Sequence, residues 1–436
     1  MKEIGLGLLG FGTVGAGVVE GLQQNGDLLA ARTGVRLVLR RIADLDIDRD
    51  RGVAVDRALL TRDAQAVIQD PAVDIVIELI GGVGIARDLV RKALTLGKPV
   101  VTANKKLLAE QGAALFALAA EKGVDLCFEA SVGGGIPIIR ALREGLVANQ
   151  IQRIHGILNG TCNYILTRMQ QDTLPFDQVL KEAQAAGYAE AEPSLDIDGH
   201  DTAHKAAILA ALAYGFPVPM DRVSVKGIRG LAPEDIRYAA ELGYRIKLLA
   251  QIRQDAGAVS VRVQPTLVPR GHLLASVDGV FNAVLVSGNL VGDTLYYGRG
   301  AGRLPTASAV LSDLADLATT LAGGRRQRLP SFLAAGAAHP PLANTDDAVS
   351  RNYLRFTLLD RPGVLAKVSD VLGRHEISIS SVIQKESRNG SHVPVVFMTH
   401  AAVERNMCAA LAELDRLDAV GAPTVRYGVE DFAAAP

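Results

Sequence analysis

The sequence has few cysteines, no excess of charge of either sign and no long apolar run. Cys127, Cys162 and Cys408 lie far apart without CxxC spacing, so we expect reduced thiols with no catalytic role, as in a cytoplasmic protein. The 46 basic residues nearly balance the 47 acidic residues, giving a net charge of −1. Such a balance lacks the positive field that draws proteins to nucleic acids or anionic membranes. We therefore expect a small-molecule ligand, with no nucleic acid and no membrane as partner.

The apolar stretches are too short for export or membrane insertion. Residues Met1–Leu9 run directly into glycines and lack the apolar core and the cleavage site of a signal peptide. The longest apolar helical run, Ala206–Ala213, is far below the roughly 20 residues that a bilayer requires. We expect this run to form a core helix.

A chain of 436 residues is expected to contain about two to four domains. Strand and helix patterns alternate at its start, which predicts a doubly wound parallel α/β domain over residues 1–132. The predicted strands are Ile4–Leu9, Val35–Ile42, Ile75–Ile80, Val100–Thr102 and Asp125–Phe128, and the predicted helices include Gly15–Gln24 and Arg87–Leu96.

Residues 133–321 have a less regular pattern, which predicts an α+β domain for substrate binding or dimerisation. Its last helix, Thr306–Leu321, is expected to pack back on the nucleotide domain. The other predicted elements are helices at Phe176–Ala186, Asp201–Tyr214 and Glu234–Ala250, and strands at Val259–Val263, Ala283–Val286 and Asp293–Tyr297.

Residues 322–350 have little periodicity and predict a linker; they include Arg325, Arg326 and Arg328. Beyond them, residues 351–430 show a βαββα order, which predicts a small ferredoxin-like module. Its predicted elements are Tyr353–Leu358, Gly363–Arg374, Ile377–Gln384, His392–His400 and Glu404–Leu414.

A GxGxxG motif follows the first predicted strand and opens the first predicted helix. Its glycines allow a tight turn and let backbone N–H groups approach a pyrophosphate at a helix N-terminus. The motif is weak alone, but a strand before it and a helix after it are the context it requires. We predict a Rossmann-type nucleotide site; the alternative is a glycine turn without a ligand. The motif residues are Gly10, Phe11, Gly12, Thr13, Val14 and Gly15.

The end of the second strand bears on the choice of coenzyme. An NAD site usually places an acid there to hold the ribose 2′-hydroxyl, whereas this strand ends in Leu39-Arg40-Arg41, and Asp44 comes late for that role. Arg40, with Arg57, is a candidate contact to a 2′-phosphate. We therefore expect NADP(H) to be preferred and NAD(H) to be possible; the alternative is two solvated arginines.

Further candidates follow the later strands, at the edge where open α/β sheets bind ligands. They are Gly81-Gly82 and Thr102-Ala103-Asn104-Lys105. Lys105 is placed to reach coenzyme and substrate together, although a lysine after a strand is most often solvated.

The densest group of ionisable residues lies between Gly187 and Lys205. Acids and a lysine can bind an α-amino group and donate a proton to a carbonyl oxygen, which is the chemistry that a hydride acceptor needs. Asp201 and Lys205 are four residues apart on a predicted helix and share a face; the alternative is a surface ion pair.

Two metal sites match parts of this segment poorly. His200 and His204 have i,i+4 spacing but lack the glutamate of an HExxH zinc motif. Asp196 and Asp198 resemble a calcium loop, yet Ala207 stands where that loop needs a bidentate glutamate. We expect neither zinc nor calcium.

Six segments of the chain resemble homoserine dehydrogenases. They are GFGTVG at 10–15, TANKK at 102–106, EASVGGGIP at 129–137, LNGTCNYIL at 158–166, GYAEAEP at 187–193 and DIDGHDTAHK at 196–205. They follow the family's order, and the last three are more distinctive than GxGxxG. The resemblance implies reversible NAD(P)H-dependent reduction of L-aspartate 4-semialdehyde to L-homoserine, in threonine, methionine and isoleucine biosynthesis.

The resemblance also implies roles for single residues. Lys205 would donate the proton to the aldehyde oxygen, and Lys105 would bridge nicotinamide and substrate. Glu190 and Asp201 would bind the substrate's amino group or hydroxyl, and Gly187 and Gly302 would line the coenzyme site.

A monovalent cation, sodium, is implied as well. The resemblance assigns it to the Glu129 carboxylate and to backbone carbonyls around Val132, Gly134 and Ile136.

The C-terminal module looks like an ACT domain. In such domains the turn after the first strand helps to bind a small amino acid at a dimer interface, and Pro362 and Gly363 shape a turn with exposed N–H groups. Asp360, Pro362, Gly363 and Val364 are candidate effector ligands, with threonine as the effector; the alternative is a module that only dimerises. We expect a homodimer or homotetramer, and no kinase-like region precedes the nucleotide domain, so we expect a monofunctional enzyme.

Two other functions share parts of the pattern. Phosphoglycerate dehydrogenases also combine a nucleotide domain with an ACT domain, but their glycine motif lies well inside the chain and their catalytic base is a histidine. A non-catalytic sensor of NADP(H) or of an amino acid would be expected to have lost the ionisable cluster, yet Lys105, Glu190, Asp201 and Lys205 are present.

Overall fold

The structure is a computed structural model that describes residues 1–255, 257–324, 332, 338–385 and 392–432. Its strands are β1 (Lys2–Leu9), β2 (Val35–Ala43), β3 (Leu60–Thr61), β4 (Ile75–Glu78), β5 (Val100–Thr102), β6 (Leu126–Cys127), β7 (Ile151–Ile157), β8 (Ser224–Val225), β9 (Tyr244–Asp255), β10 (Ala258–Pro269), β11 (Phe281–Gly288), β12 (Gly292–Arg299), β13 (Val349–Leu359), β14 (Ile379–Gln384), β15 (His392–Thr399), β16 (Ala402–Val403) and β17 (Val425–Val429). Its helices are α1 (Thr13–Thr33), α2 (Ala64–Gln69), α3 (Ile85–Thr95), α4 (Lys105–Lys122), α5 (Ile138–Arg140), α6 (Gly160–Asp172), α7 (Phe176–Ala185), α8 (Ser194–Ile197), α9 (His200–Tyr214), α10 (Pro233–Glu241), α11 (Arg303–Ala322), α12 (Val364–Arg374) and α13 (Glu404–Leu414).

The chain forms two compact units, each assembled from separate segments. The first unit comprises Met1–Gly160, Asp201–Val223 and Phe281–Pro340, and the second comprises Thr161–His200, Ser224–Val280 and Pro341–Pro436. These units differ from the contiguous domains 1–132, 133–321, 322–350 and 351–430, whose boundaries remain predictions.

The first unit contains a six-stranded parallel sheet in the order β3-β2-β1-β4-β5-β6. Strands β1, β4 and β5 are buried along most or all of their length, because helices cover both faces of such a sheet. The order reverses between β1 and β4, where open α/β sheets form their ligand crevice. This topology confirms the predicted doubly wound nucleotide domain.

Helix α11 returns to the nucleotide sheet, as the sequence predicted. Its side chains Ala307, Val310 and Leu314 belong to one apolar core with β1 and α1. The fit is close, since a Cβ added to Gly17 would lie 2.6 Å from the Arg303 carbonyl oxygen. The start of α11 is thereby fixed beside the first turns of α1.

The first unit also holds an antiparallel sheet, β12-β11-β7, and the helix α9. Every residue of α9 from Asp201 to Ala211 is buried. Because an unpaired charge inside the protein is costly, the two charged side chains Asp201 and Lys205 have partners there.

In the second unit the antiparallel pair β9-β10 replaces part of a predicted helix. The helix predicted over Glu234–Ala250 is wrong beyond Glu241, where α10 ends; Gly243 then adopts φ +86° and β9 begins. The segment from Ile246 to Ile252 is buried throughout. Periodicity does not separate a fully buried strand from a buried helix, which explains the error.

The C-terminal module has the predicted βαββα elements and two further strands, the short β16 before α13 and β17 after it, that were not predicted from the sequence. Its sheet runs β17-β13-β15-β14, and β17 also pairs in parallel with β10. The buried Asp235 carboxylate of α10 accepts hydrogen bonds from the Tyr353 hydroxyl at 2.9 Å and from Arg355 Nη2 at 2.9 Å. Strand pairing and this carboxylate both attach the module to the rest of the second unit.

The predicted linker is described in part. Arg325, Arg326 and Arg328 lie outside the described residues, whereas Val259 N donates to the Pro341 carbonyl at 2.8 Å. Among the described residues, none of the helices combines the length and the apolar character needed to span a membrane.

Candidate active site

The glycine motif forms an open loop between β1 and α1. Gly10 adopts φ +96°, and a Cβ there would lie 2.7 Å from the Leu79 carbonyl carbon. A Cβ on Gly15 would lie 2.2 Å from the Gly10 carbonyl oxygen, whereas one on Gly12 would meet nothing within 4 Å. Two glycines thus permit the turn and the helix packing, and the third leaves space in front of the N–H groups of α1. This geometry fits a dinucleotide pyrophosphate.

A cavity of about 280 Å³ lies beside this loop. Apolar side chains, including Leu45, Ile80 and Ile85, line it together with Asp44 and Arg62. An apolar slot with a few polar groups next to a phosphate loop suits the adenosine half of a dinucleotide.

Asp44, which the sequence analysis set aside, touches the glycine loop. Its Oδ2 accepts the Phe11 N–H at 2.6 Å, and its Oδ1 lies 3.3 Å from Arg51 Nη2. Strand β2 ends at Ala43, one residue beyond the predicted end, so that Asp44 directly follows the strand.

Both arginines predicted to contact a 2′-phosphate pair with acids in this structure. Arg40 Nη2 lies 2.7 Å from Glu3 Oε2, near the start of β1, and Arg57 pairs with Asp48. Arg62, which the sequence analysis missed, lines the cavity and donates to Asp48 at 2.8 Å.

The ends of β4 and β5 are joined by buried polar contacts. Glu78 is fully buried, and its carboxylate accepts the Ile80 N–H at 2.9 Å and the Thr102 hydroxyl at 2.6 Å. The Asn104 side chain accepts the Leu107 N–H at 3.1 Å and so caps α4; such a cap is typically worth about 1 kcal/mol. Lys105 is the first residue of this capped helix.

Lys105, Asp201 and Lys205 form one cluster. Lys105 Nζ lies 2.8 Å from Asp201 Oδ1, and Lys205 Nζ lies 2.8 Å from Asp201 Oδ2. The side chains of Asp201 and Lys205 are 8% and 9% exposed, whereas that of Lys105 is 41% exposed. Burial excludes the surface ion pair that the spacing alone also allowed.

The two lysines determine whether the Asp201 carboxyl group is ionised. Burial opposes ionisation of Asp201, but the Lys205 and Lys105 ammonium groups outweigh burial and lower the pKa of Asp201. The carboxylate therefore remains charged at neutral pH and holds two cations.

The turn after β7 completes the cluster. The Leu158 carbonyl accepts a hydrogen bond from Lys205 Nζ at 2.7 Å, and Asn159 Nδ2 donates to Asp201 Oδ2 at 2.9 Å. Sequence reasoning missed Asn159 because it carries no charge and lies 42 residues from Asp201. Its place in the LNGTCNYIL segment was the one available signal.

The loop after β6 contains the predicted cation ligands. Glu129 is buried, and its carboxylate accepts the N–H groups of Ile139 at 2.9 Å and Arg140 at 2.8 Å; burial raises the pKa of Glu129. Val132 and Ile136 are buried too, and Gly134 adopts φ +52°.

A second acid lies against this loop. Asp313 of α11 accepts the Glu129 N–H at 2.9 Å, and burial raises the pKa of Asp313 to about 7. Gly302 immediately precedes α11 and adopts φ +128°.

Glu190 and Gly187 lie in the second unit. Gly187 follows α7 with φ +74°, and Glu190 is exposed, with its carbonyl accepting a hydrogen bond from Gln184. Lys105, Asp201 and Lys205, by contrast, come together within the first unit.

The predicted effector residues share a cavity of about 300 Å³ in the C-terminal module. Gly363 adopts φ +86° and caps α12. Gln384 Nε2 lies 3.5 Å from Asp360 Oδ1 at this cavity. Asp360, Pro362, Gly363 and Val364 all belong to its lining.

Comparisons with known proteins cover nearly the whole chain. The family model for homoserine dehydrogenase matches residues 137–315, its NAD binding domain matches residues 10–129, and the ACT domain matches residues 352–419. The homoserine dehydrogenases of Neisseria gonorrhoeae and Pseudomonas aeruginosa are 44% and 43% identical, covering 99% of this chain and 100% of theirs.

Solved structures agree. A homoserine dehydrogenase from Thiobacillus denitrificans is 46% identical with a TM-score of 0.94, covering 99% of both chains. A hyperthermophilic archaeal homoserine dehydrogenase in complex with NADPH is 27% identical with a TM-score of 0.63, covering 74% of this chain and 100% of its own. These matches decide against the phosphoglycerate dehydrogenase alternative: the chain belongs to the homoserine dehydrogenase family and carries an NAD-binding domain and an ACT domain.

Proposed function

We propose that this homoserine dehydrogenase reduces L-aspartate 4-semialdehyde to L-homoserine with Lys205 as the proton donor. The observation that carries the proposal is the Lys105-Asp201-Lys205 cluster, in which one buried carboxylate binds two ammonium groups. Two ammonium groups and one carboxylate leave the cluster with one excess positive charge. Such a charge stabilises an aldehyde oxygen as it gains negative charge.

NAD(P)H, when bound, supplies the hydride that reduces the aldehyde carbon. Lys205 donates its proton to the oxygen of that carbonyl, and Asp201 keeps the ammonium group protonated and oriented. Lys105 is half-exposed and is bonded to the other carboxylate oxygen, and we assign it to binding substrate or coenzyme while it keeps its contact with Asp201. Glu190 as a substrate ligand and Gly187 and Gly302 as coenzyme-site residues keep the roles that the family resemblance assigns.

Replacing Lys205 tests the proton donor. Lys205→Ala should lower kcat for L-aspartate 4-semialdehyde reduction by about 10²- to 10⁴-fold, the usual contribution of a general acid. The Kd of NADPH, measured by fluorescence, should remain close to that of the unmodified protein. Lys106→Ala is the matched control, since Lys106 is 45% exposed and pairs with Glu110 at 3.9 Å. Full turnover in Lys205→Ala would remove Lys205 from the mechanism.

The coenzyme is proposed to place its pyrophosphate at the glycine loop and its adenosine in the cavity beside it. We propose that NADP(H) is preferred, supported by the arginines at this edge and by the NADPH complex of the archaeal relative. Arg62 lines the cavity, whereas Arg40 would have to leave Glu3 to reach a 2′-phosphate. Both arginines remain candidates for that contact.

Changing Arg62 or Arg40 to glutamate tests which of the two contacts the 2′-phosphate. A hydrogen bond to a charged group is worth about 1.5–3 kcal/mol, so the arginine that binds the 2′-phosphate should, when changed to Glu, raise the KM for NADPH at least tenfold. The KM for NADH should change much less, because NADH lacks that phosphate. We expect this result for Arg62→Glu and a smaller effect for Arg40→Glu. Equal effects on both coenzymes in both variants would reject a 2′-phosphate contact here.

A monovalent cation is proposed at the loop after β6. The donors are the Glu129 carboxylate and peptide carbonyls around Val132, Gly134 and Ile136, and oxygen donors suit a hard cation such as Na⁺. When bound, the cation would neutralise the buried carboxylate and stiffen the loop.

Cation binding should raise the thermal unfolding midpoint. We expect a higher Tm in NaCl than in choline chloride at equal ionic strength, since a ligand that binds only the folded state stabilises it. Glu129→Gln should abolish most of this difference, and Glu144→Gln, which alters a partly exposed acid paired with Arg143, should not. An identical Tm in both salts would reject the site.

The ACT domain is proposed to bind threonine as a feedback inhibitor, in a homodimer or homotetramer. The N–H groups at the start of α12 are suited to an amino-acid carboxylate, and Asp360 lies at the same cavity to receive the α-amino group.

Inhibition by threonine should depend on Asp360. Asp360→Ala should raise the inhibitory threonine concentration at least tenfold without changing kcat in the absence of threonine. Asp370→Ala, on the same module and paired with Arg374, is the control. If calorimetry detects no threonine binding to the full chain, the module has another ligand or only dimerises.

A further inference from the structure

Asn159 is a buried polar residue to which neither the sequence motifs nor the family resemblance gave a role. It lies in the turn between β7 and α6, and the residue is 5% exposed. Nδ2 donates to Asp201 Oδ2 at 2.9 Å, the same oxygen that binds Lys205 Nζ at 2.8 Å. The amide therefore contacts the group that holds the proposed proton donor.

Three donors share the Asp201 carboxylate, and they differ in stiffness. Lys105 and Lys205 reach it through flexible four-carbon stems, and the terminal torsion of an aspartate is itself broadly distributed. Asn159 has a short side chain on a turn that continues from a paired strand, where Ile157 pairs with Ala283. Of the three donors, Asn159 has the fewest side-chain torsions between its donor atom and the backbone.

The same turn also holds Lys205 directly. The carbonyl of Leu158, the preceding residue, accepts a hydrogen bond from Lys205 Nζ at 2.7 Å. Two consecutive residues therefore bind the acid and the lysine of one ion pair. The Asn159 amide adds no charge to the cluster. A carboxylate at position 159 would lie beside Asp201 and would favour the protonated form of Lys205 more strongly.

We propose that Asn159 is a positioning residue for proton transfer: its amide fixes Asp201, and Asp201 together with the Leu158 carbonyl directs Lys205 Nζ. This inference rests on the proposed role of Lys205. It adds a residue that acts through Asp201 and that touches neither substrate nor coenzyme in the mechanism.

The test compares Asn159→Asp and Asn159→Ala with the unmodified full-length protein. In the reduction direction the rate should fall at alkaline pH as Lys205 loses its proton. Asn159→Asp should move this fall to higher pH by about one unit, because an added carboxylate raises the pKa of the lysine. Asn159→Ala should lower kcat about tenfold, the loss expected for a bond to a charged group, with an unchanged Kd for NADPH.

Asn163→Ala is the matched control. Asn163 is a buried asparagine of the same segment, and its Nδ2 donates to the backbone carbonyls of Val277 and Gly279 at 3.0 Å each. This change should lower the Tm without moving the alkaline fall in rate. A purely structural role for Asn159 would give the same pattern.

The outcomes separate this inference from the proposed function. If Lys205→Ala is inactive while Asn159→Asp keeps the original pH profile and Asn159→Ala keeps its kcat, the positioning role is wrong and the proton donor stands. If Lys205→Ala is fully active, the proposed function fails first. Should Asn159→Asp not fold, the kcat and the NADPH Kd of Asn159→Ala decide the question.

Discussion

A buried carboxylate with two ammonium partners is the interaction on which this site depends. An isolated charge in the protein interior is strongly unfavourable, and it is retained only when paired and hydrogen-bonded. Asp201 meets that condition with Lys105, Lys205 and Asn159, and Lys205 gains the Leu158 carbonyl as well. Removing Asp201 would leave Lys105 and Lys205 without their shared counter-ion, so the interaction that stabilises the cluster also sets its geometry.

The fold brings these donors together from distant parts of the chain. Lys105 starts a helix that Asn104 caps at the end of β5, and Asp201 and Lys205 lie one turn apart on the buried helix α9. The nucleotide sheet contributes the coenzyme loop at the same edge as Lys105, because all six strands are parallel and their carboxyl ends share one side. Helix α11 closes against α1 and keeps the start of that sheet in place.

Local patterns predicted much of this arrangement. The GxGxxG context predicted the open loop, and the spacing of Asp201 and Lys205 placed both on one helix face. What local patterns could not predict were contacts set by distant pairing, such as Asn159 with Asp201. The partner of Arg40 was missed for the same reason, since Glu3 reaches it across neighbouring strands. The change from α10 to β9 was missed because burial on both faces removes the periodicity that distinguishes strand from helix.

In the proposed reaction, Lys205 delivers its proton as the aldehyde is reduced. The most direct test is stopped-flow single-turnover oxidation of NADPH with L-aspartate 4-semialdehyde, in H₂O and in D₂O, with the coenzyme carrying hydrogen or deuterium at the transferred position. If the proton moves in the same step as the hydride, D₂O should slow that step, and the slowing should persist with deuterated coenzyme. A hydride step that is slowed by deuterated coenzyme but runs at the same rate in D₂O would contradict proton donation by Lys205 in that step.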